Sequence, residues 1–122
     1  MHKLNPVFIL VKPQIAENVG AVARAMLNFG FLNLRLVSPR EDHLCERALA
    51  MAAGAGRVLD QAQVFENLAD ACKDLNEILA TSARDRYKYK DVVDPTIGCN
   101  KVLQNCAKGY KVGILFGGER AG

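Results

Sequence analysis

Asn18-Val19-Gly20-Ala21-Val22-Ala23-Arg24 sets an amide, a glycine and a guanidinium into an otherwise apolar segment. An amide both donates and accepts hydrogen bonds, a guanidinium is a fixed cation with several donors, and a glycine lets backbone come close to a ligand. Together they read as a binding site. A second group closes the chain, where Gly117-Gly118-Glu119-Arg120 follows the apolar run Val112 to Phe116. Paired glycines at the end of a buried strand again admit close approach, and Glu119 adds an acid with no local reason to be there beyond a solvated turn. A third group is Arg84-Asp85-Arg86-Tyr87-Lys88-Tyr89-Lys90. In an extended chain its period of two puts Arg84, Arg86, Lys88 and Lys90 on one side and Asp85 and both tyrosines on the other. Such a stripe can meet RNA phosphates while a tyrosine stacks on an unpaired base, or it can be a solvated loop with a few internal ion pairs.

The elements that position these groups alternate between strand and helix. Val7 to Val11 is wholly apolar and bounded by Pro6 and Pro13, which predicts a strand buried on both faces. Ile15, Val19, Val22, Ala23, Met26 and Leu27 then define one helical face, and Gly30 stands where a helix stops. Asn18 and Arg24 therefore sit just past a strand-to-helix turn, the edge of a parallel α/β sheet where ligands dock. Six residues apart, they do not share a helix face, although both can reach a ligand beyond the strand ends. Read singly, Asn18 can instead be a helix cap, Gly20 a close-packing site and Arg24 a solvated charge.

Leu32 to Val37 alternates apolar and polar residues ahead of Pro39, as a strand with one better-covered face would. From about Asp42 a helix is predicted with Leu44, Ala48, Leu49 and Ala52 on one side, ending near Gly54 or Gly56. Val64-Phe65 reads as a very short strand, and Asn67 as the cap of a helix with Leu68, Ala71, Cys72 and Leu75 on its face. Ile78 to Thr81 is a further buried strand, Pro95 opens a helix with Cys99, Val102, Leu103 and Cys106 closed by Gly109, and Val112 to Phe116 is the last strand. The expected fold is α/β in one domain over residues 1–122, a mostly parallel sheet of about five strands with right-handed crossovers and helices on both faces.

Half of the 122 residues are hydrophobic and 24% are charged, which suits a folded domain and argues against disorder. A net charge of +3 points only weakly to a polyanionic partner. No run reaches membrane-spanning length and the amino terminus lacks a signal-peptide pattern, so the expected location is the cytoplasm. Cys45, Cys72, Cys99 and Cys106 match no zinc or redox spacing, and Cys72 and Cys106 read as core thiols. With His2 and His43 isolated, no metal site is expected.

Taken in order, Asn18-x-Gly-Ala-x-Ala-Arg24, Ala80-Thr-Ser-Ala-Arg84 and Leu115-Phe-Gly-Gly-Glu-Arg-Ala-Gly122 resemble the motifs of the SpoU/TrmH family of SPOUT RNA 2′-O-methyltransferases. Ala52-Ala53-Gly54-Ala55 and the Thr-Ser-Ala-Arg segment look most like the TrmJ type, which methylates a ribose in the tRNA anticodon loop. The resemblance covers essentially the whole chain. It implies S-adenosylmethionine as methyl donor, RNA, tRNA foremost, as substrate, and a homodimer. By the same resemblance, Arg24 stabilises the developing oxyanion and grips a neighbouring phosphate, Asn18 orients Arg24 or the ribose, and Glu119 fixes the arginine or the substrate. Thr81, Ser82 and Ala83 at one strand end and Gly117 and Gly118 at another would hold the cofactor, and Arg84, Arg86, Lys88 and Lys90 would contact RNA. A third family motif, which completes the cofactor pocket and threads the chain into a trefoil knot, lies past the second and is absent from this sequence. The chain is therefore read as the amino-terminal part of a SPOUT (α/β knot) catalytic domain, truncated within the second motif and lacking the knot-forming part.

Two other classes compete with this reading. A Rossmann-like nucleotide-binding domain lacks support, because the first turn has no Gly-x-Gly-x-x-Gly and Val37 is followed by Ser38-Pro39 instead of an acid. A noncatalytic RNA-binding module on a Rossmann-like fold would show salt-sensitive RNA binding without methyl transfer.

Overall fold

The structure is a computed structural model that describes residues 6–81 and 111–117. Expectations for Ser82, Ala83, Arg84, Arg86, Lys88, Lys90, Gly118 and Glu119, and for the helix from Pro95 with Cys99 and Cys106, fall outside the described residues.

Five parallel strands form one sheet: β1 Val7–Val11, β2 Asn33–Val37, β3 Gln63–Phe65, β4 Glu77–Thr81 and β5 Val112–Phe116, in the order β3-β2-β1-β5-β4. The central strand β1 is apolar on both faces because both are covered. Phe8 and Leu10 face one layer with α1 Ala16–Asn28, α2 Glu46–Ala52 and α3 Gly56–Gln61, while Val7 and Ile9 face α4 Leu68–Cys72 on the other. Helices on both faces and the number of strands agree with the sequence expectation, but β4, expected to be buried, is an edge strand with Ile78 exposed. The sheet is parallel at every described pairing.

Helix α1 ends as its sequence predicts. Gly30 takes a left-handed φ of +80°, its N–H donates to the Leu27 carbonyl, and the Phe31 N–H donates to that of Met26. That is a Schellman closure, which needs a residue without Cβ strain at this position. Asn67 likewise caps α4, its side chain accepting the Asp70 N–H at 2.8 Å.

Several details differ from the sequence reading. Ile15 is 46% exposed, since it stands at the amino-terminal cap of α1 outside the buried stripe Ala16, Val19, Gly20, Ala23 and Met26. The helix expected from Asp42 begins at Glu46, and both Leu44 and Leu49 are exposed; it packs through the small residues Ala48 and Ala52 alone. It stops at Ala53, whose φ of +53° breaks the helix into a short 3-10 turn over Ala53–Ala55. The separate helix α3 was not expected, because its buried pair Val58 and Leu59 is too short to show a period. Helix α4 is a turn shorter than its apolar pattern, with Leu75 beyond it and Leu68 exposed.

Strand β2 departs most. It lacks a solvated face, because Arg35 is buried beneath α4. The Arg35 guanidinium donates to the Ala71 carbonyl at 2.6 Å and to both Asp74 carboxylate oxygens at 2.7 and 2.9 Å, and lies 5.8 Å from the centre of the Phe65 ring. Lys111 Nζ donates to the same carboxylate at 2.7 Å, joining the end of α4 to the start of β5. Hydrogen bonds from Arg35 first, and from Lys111 second, hold the Asp74 carboxyl far below the usual carboxylate range. Its pKa is lower folded than unfolded, so its contribution is complete above about pH 4 and fades as pH falls further. Because Asp74 is 42% exposed, water moderates the effect. Urea midpoints are expected to hold steady from pH 7 to pH 5 and to fall below pH 4. Asp74→Asn should cost about 1 kcal/mol at neutral pH and flatten that acid limb; an unchanged limb would remove Asp74 from the account.

Candidate active site

The carboxyl edge of the sheet brings three strand ends together. Leu10 of β1 and Thr81 of β4 both pair in register with Phe116 of β5. Helix α1 rises from the loop after β1, and between them lies an open cleft of about 260 Å³. Its walls are Leu10 and Val11 from β1, Pro13 from the loop, Asn18 and Val22 from α1, and Phe116 and Gly117 from β5. The Phe116 ring is fixed by stacking on Phe8, with centroids 6.1 Å apart and planes 11° apart. At Gly117 a Cβ would meet nothing within 4 Å among the described residues, so the backbone there is open to a ligand as far as they reach. Asn18 supplies the only polar side chain among these lining residues.

The sequence-predicted residues separate accordingly. Asn18 and Gly117 meet at the cleft, and Thr81 ends the neighbouring strand pair. Asn18 does not cap its helix, since Ile15 holds the cap position. Arg24 is exposed and is not among the cleft-lining residues. Six residues from Asn18, it stands about 9 Å further along the axis and about 120° around it. Gly20, placed by the sequence in a binding signature, is buried against α2: a built Cβ lies 3.0 Å from the Ala48 carbonyl carbon and 3.1 Å from the Ala52 nitrogen, with the Ala48 oxygen closer still. It is a helix-packing residue.

One contributor was not visible in the sequence. The first N–H of α1, at Ala16, donates to Glu41 Oε1 at 2.8 Å, and Arg47 Nη2 donates to Glu41 Oε2 at 3.0 Å. The Ala16 N–H and then Arg47 lower the Glu41 pKa. Glu41 thus caps α1 across 25 residues of sequence, a relation that no local pattern announces, and ties the helix carrying Asn18 to the loop after β2. Both cysteines among the described residues are half-buried, and burial pushes the Cys72 thiol up, away from thiolate chemistry. Among the described residues, no group of three or more His, Cys, Asp or Glu side chains is arranged to hold a metal, and no helix is long and apolar enough to cross a membrane.

This edge can hold a ligand against apolar walls, orient it with one amide, and offer exposed backbone at Gly117. Known proteins share the fold. The crystal structure of TrmJ from Z. mobilis superposes with a TM-score of 0.84 at 46% identity, over 96% of this chain and 51% of that one. A probable methylase family protein from Haemophilus influenzae gives a TM-score of 0.82 at 32% identity, over 98% and 49%. In sequence, the tRNA (cytidine-2′-O-)-methyltransferase TrmJ of Methanocaldococcus jannaschii is 37% identical over 117 residues, 93% of this chain and 49% of that protein. The uncharacterized tRNA/rRNA methyltransferase LasT of Escherichia coli is 36% identical over 114 residues, 93% and 50%. The chain spans about half the length of the curated relatives it matches. The SpoU rRNA Methylase family model matches residues 5–122; with the parallel sheet and the cleft at its carboxyl edge, the chain belongs to the SpoU rRNA methylase family.

Proposed function

We propose that this chain belongs to an S-adenosylmethionine-dependent methyltransferase that modifies a ribose 2′-oxygen of tRNA. The carrying observation is the match, at 37–38% identity over 93% of the chain, to proteins named as tRNA 2′-O-methyltransferases. Thr81, Ser82 and Ala83 with Gly117 and Gly118 would hold the cofactor. The register of Thr81 with Phe116 and the space left at Gly117 among the described residues support that assignment. When bound, the cofactor supplies an electrophilic methyl on a sulfonium.

A ribose hydroxyl is a weak nucleophile, so the site must hold its oxygen in line and stabilise the charge that develops on it. With that cofactor bound, the methyl would pass from sulfur to the ribose oxygen, and the hydroxyl proton would leave to water or a neighbouring phosphate. Arg24 acts by electrostatic stabilisation and by gripping phosphate; a guanidinium is suited to those roles and not to that of a base. Its exposed place on α1 suits contact with RNA. Asn18 orients the ribose at the cleft, Glu119 fixes Arg24 or the substrate, and Arg84, Arg86, Lys88 and Lys90 contact the RNA backbone. The working unit is a homodimer in the cytoplasm; Ile15 and Phe29, 46% and 76% exposed at the two ends of α1, support a second copy against that helix.

Calorimetric titration with S-adenosylmethionine tests the cofactor part. Saturable binding at one site per chain is expected in a protein of the relatives' full length that contains these residues. Absence of binding there would refute the proposal.

A further inference from the structure

Two loops at the carboxyl edge are laced together beside the cleft. The Lys12 N–H donates to the Val37 carbonyl at 2.7 Å, and the Arg40 N–H donates to the Pro13 carbonyl at 2.9 Å, so the turn after β1 and the turn after β2 form one rim. Lys12 lies between Val11 and Pro13, both of which line the cleft. It adopts a left-handed φ of +52°, and Ser38, one residue past the partner of Val11 in β2, adopts +47°. The Lys12 carbonyl is further held by Gln14 Nε2 at 2.9 Å. Lysine is an unfavourable residue for this conformation, where glycine or asparagine would sit without strain.

The rim carries two cations held outside direct ion pairs, Arg40 adding only a weak attraction on Glu41. Lys12 and Arg40 are exposed, and neither forms a salt bridge among the described residues. The nearby acids take their hydrogen bonds and ion pairs from other groups: Glu41 from the Ala16 N–H and Arg47, with Arg40 adding a weaker attraction, Glu17 from Arg47, and Asp42 from the Leu44 N–H. Two cations on a braced rim next to a cleft suit a polyanion whose one residue enters the cleft while its backbone crosses the edge.

We infer that Lys12 and Arg40 bind the phosphodiester backbone of the RNA strand flanking the nucleotide held at the cleft. This inference rests on the RNA methyltransferase reading. Phosphate contacts of this kind set register and orientation without reading sequence.

Fluorescence anisotropy with a labelled RNA hairpin bearing an unpaired loop, followed from 50 to about 200 mM salt, tests it. The variant is Lys12→Asn with Arg40→Gln, because asparagine removes the charge while tolerating the left-handed backbone. RNA binding is expected to weaken about tenfold at low salt, and the slope of log K against log salt to become shallower by about 0.7 to 1 per cation removed. Thermal unfolding of the variant should match or exceed that of the parent, which separates lost contact from lost fold. Parent and variant binding with equal affinity and equal slope would overturn the inference and leave the functional reading standing. A parent protein of the relatives' full length, containing this chain, that binds no RNA would overturn both.

Discussion

Gly20→Ala is expected to lower unfolding free energy by about 2–3 kcal/mol, although alanine is the better helix former. Returning a methyl to an exposed helix position gains about 1 kcal/mol over glycine. Here the methyl would meet the Ala48 carbonyl and the Ala52 nitrogen, which are backbone atoms and cannot turn aside. Overpacking costs about 1–3 kcal/mol, and more where the neighbour cannot yield. Relief requires α1 and α2 to separate, which would also strain the Glu41 contacts to Ala16 and Arg47 at the head of α1. Denaturant midpoints measure the loss directly. A midpoint equal to that of the parent would mean that the two helices do not approach as closely as described.

Arg24→Ala is expected to leave the fold intact and remove the reaction. Arg24 is exposed, and exposed substitutions away from special contacts usually stay within about 0.5 kcal/mol. Removing a group that stabilises developing negative charge costs about 10²- to 10³-fold in rate. Cofactor affinity should change little, because Arg24 lies off the strand ends proposed to hold it. Arg24→Lys should restore little, since a point charge does not reproduce the planar guanidinium fork. Methyl transfer and cofactor affinity measured side by side separate the roles; a parallel loss of both would assign Arg24 to the cofactor instead.

These two residues stand four apart in one motif and differ in kind, which shows what the sequence made legible. The strands β1 and β5 were readable because a continuous apolar run between turn formers has few alternatives, and the stops at Gly30 and Asn67 because capping is local chemistry. Gly20 was read within a binding signature because its partner, α2, lies about eight helical turns away in sequence, and closeness across helices leaves no mark beyond a small residue. The ambiguity between a packing and a binding glycine resolved only with Ala48 in place.

Arg35 failed for the same reason in reverse. A charged residue between Leu34 and Leu36 reads as a solvated position, and only the distant Asp74 and Ala71 turn it into a buried, satisfied one. Glu41 and the rim residues Lys12 and Arg40 also acquire their roles through contacts between loops separated by an entire helix. The carboxyl-edge cleft lies where the strand-to-helix turn led a candidate site to be expected. Which side chains gather there was not: Asn18 reaches the cleft and Arg24 does not line it.

The most direct measurement is transfer of labelled methyl from S-adenosylmethionine to unmodified tRNA, followed by nucleoside digestion, using a protein of the relatives' full length that contains this chain. The account predicts label in a 2′-O-methylated nucleoside, abolished by Arg24→Ala. Salt-sensitive tRNA binding with no label transferred, or label on a base instead of a ribose, would contradict it.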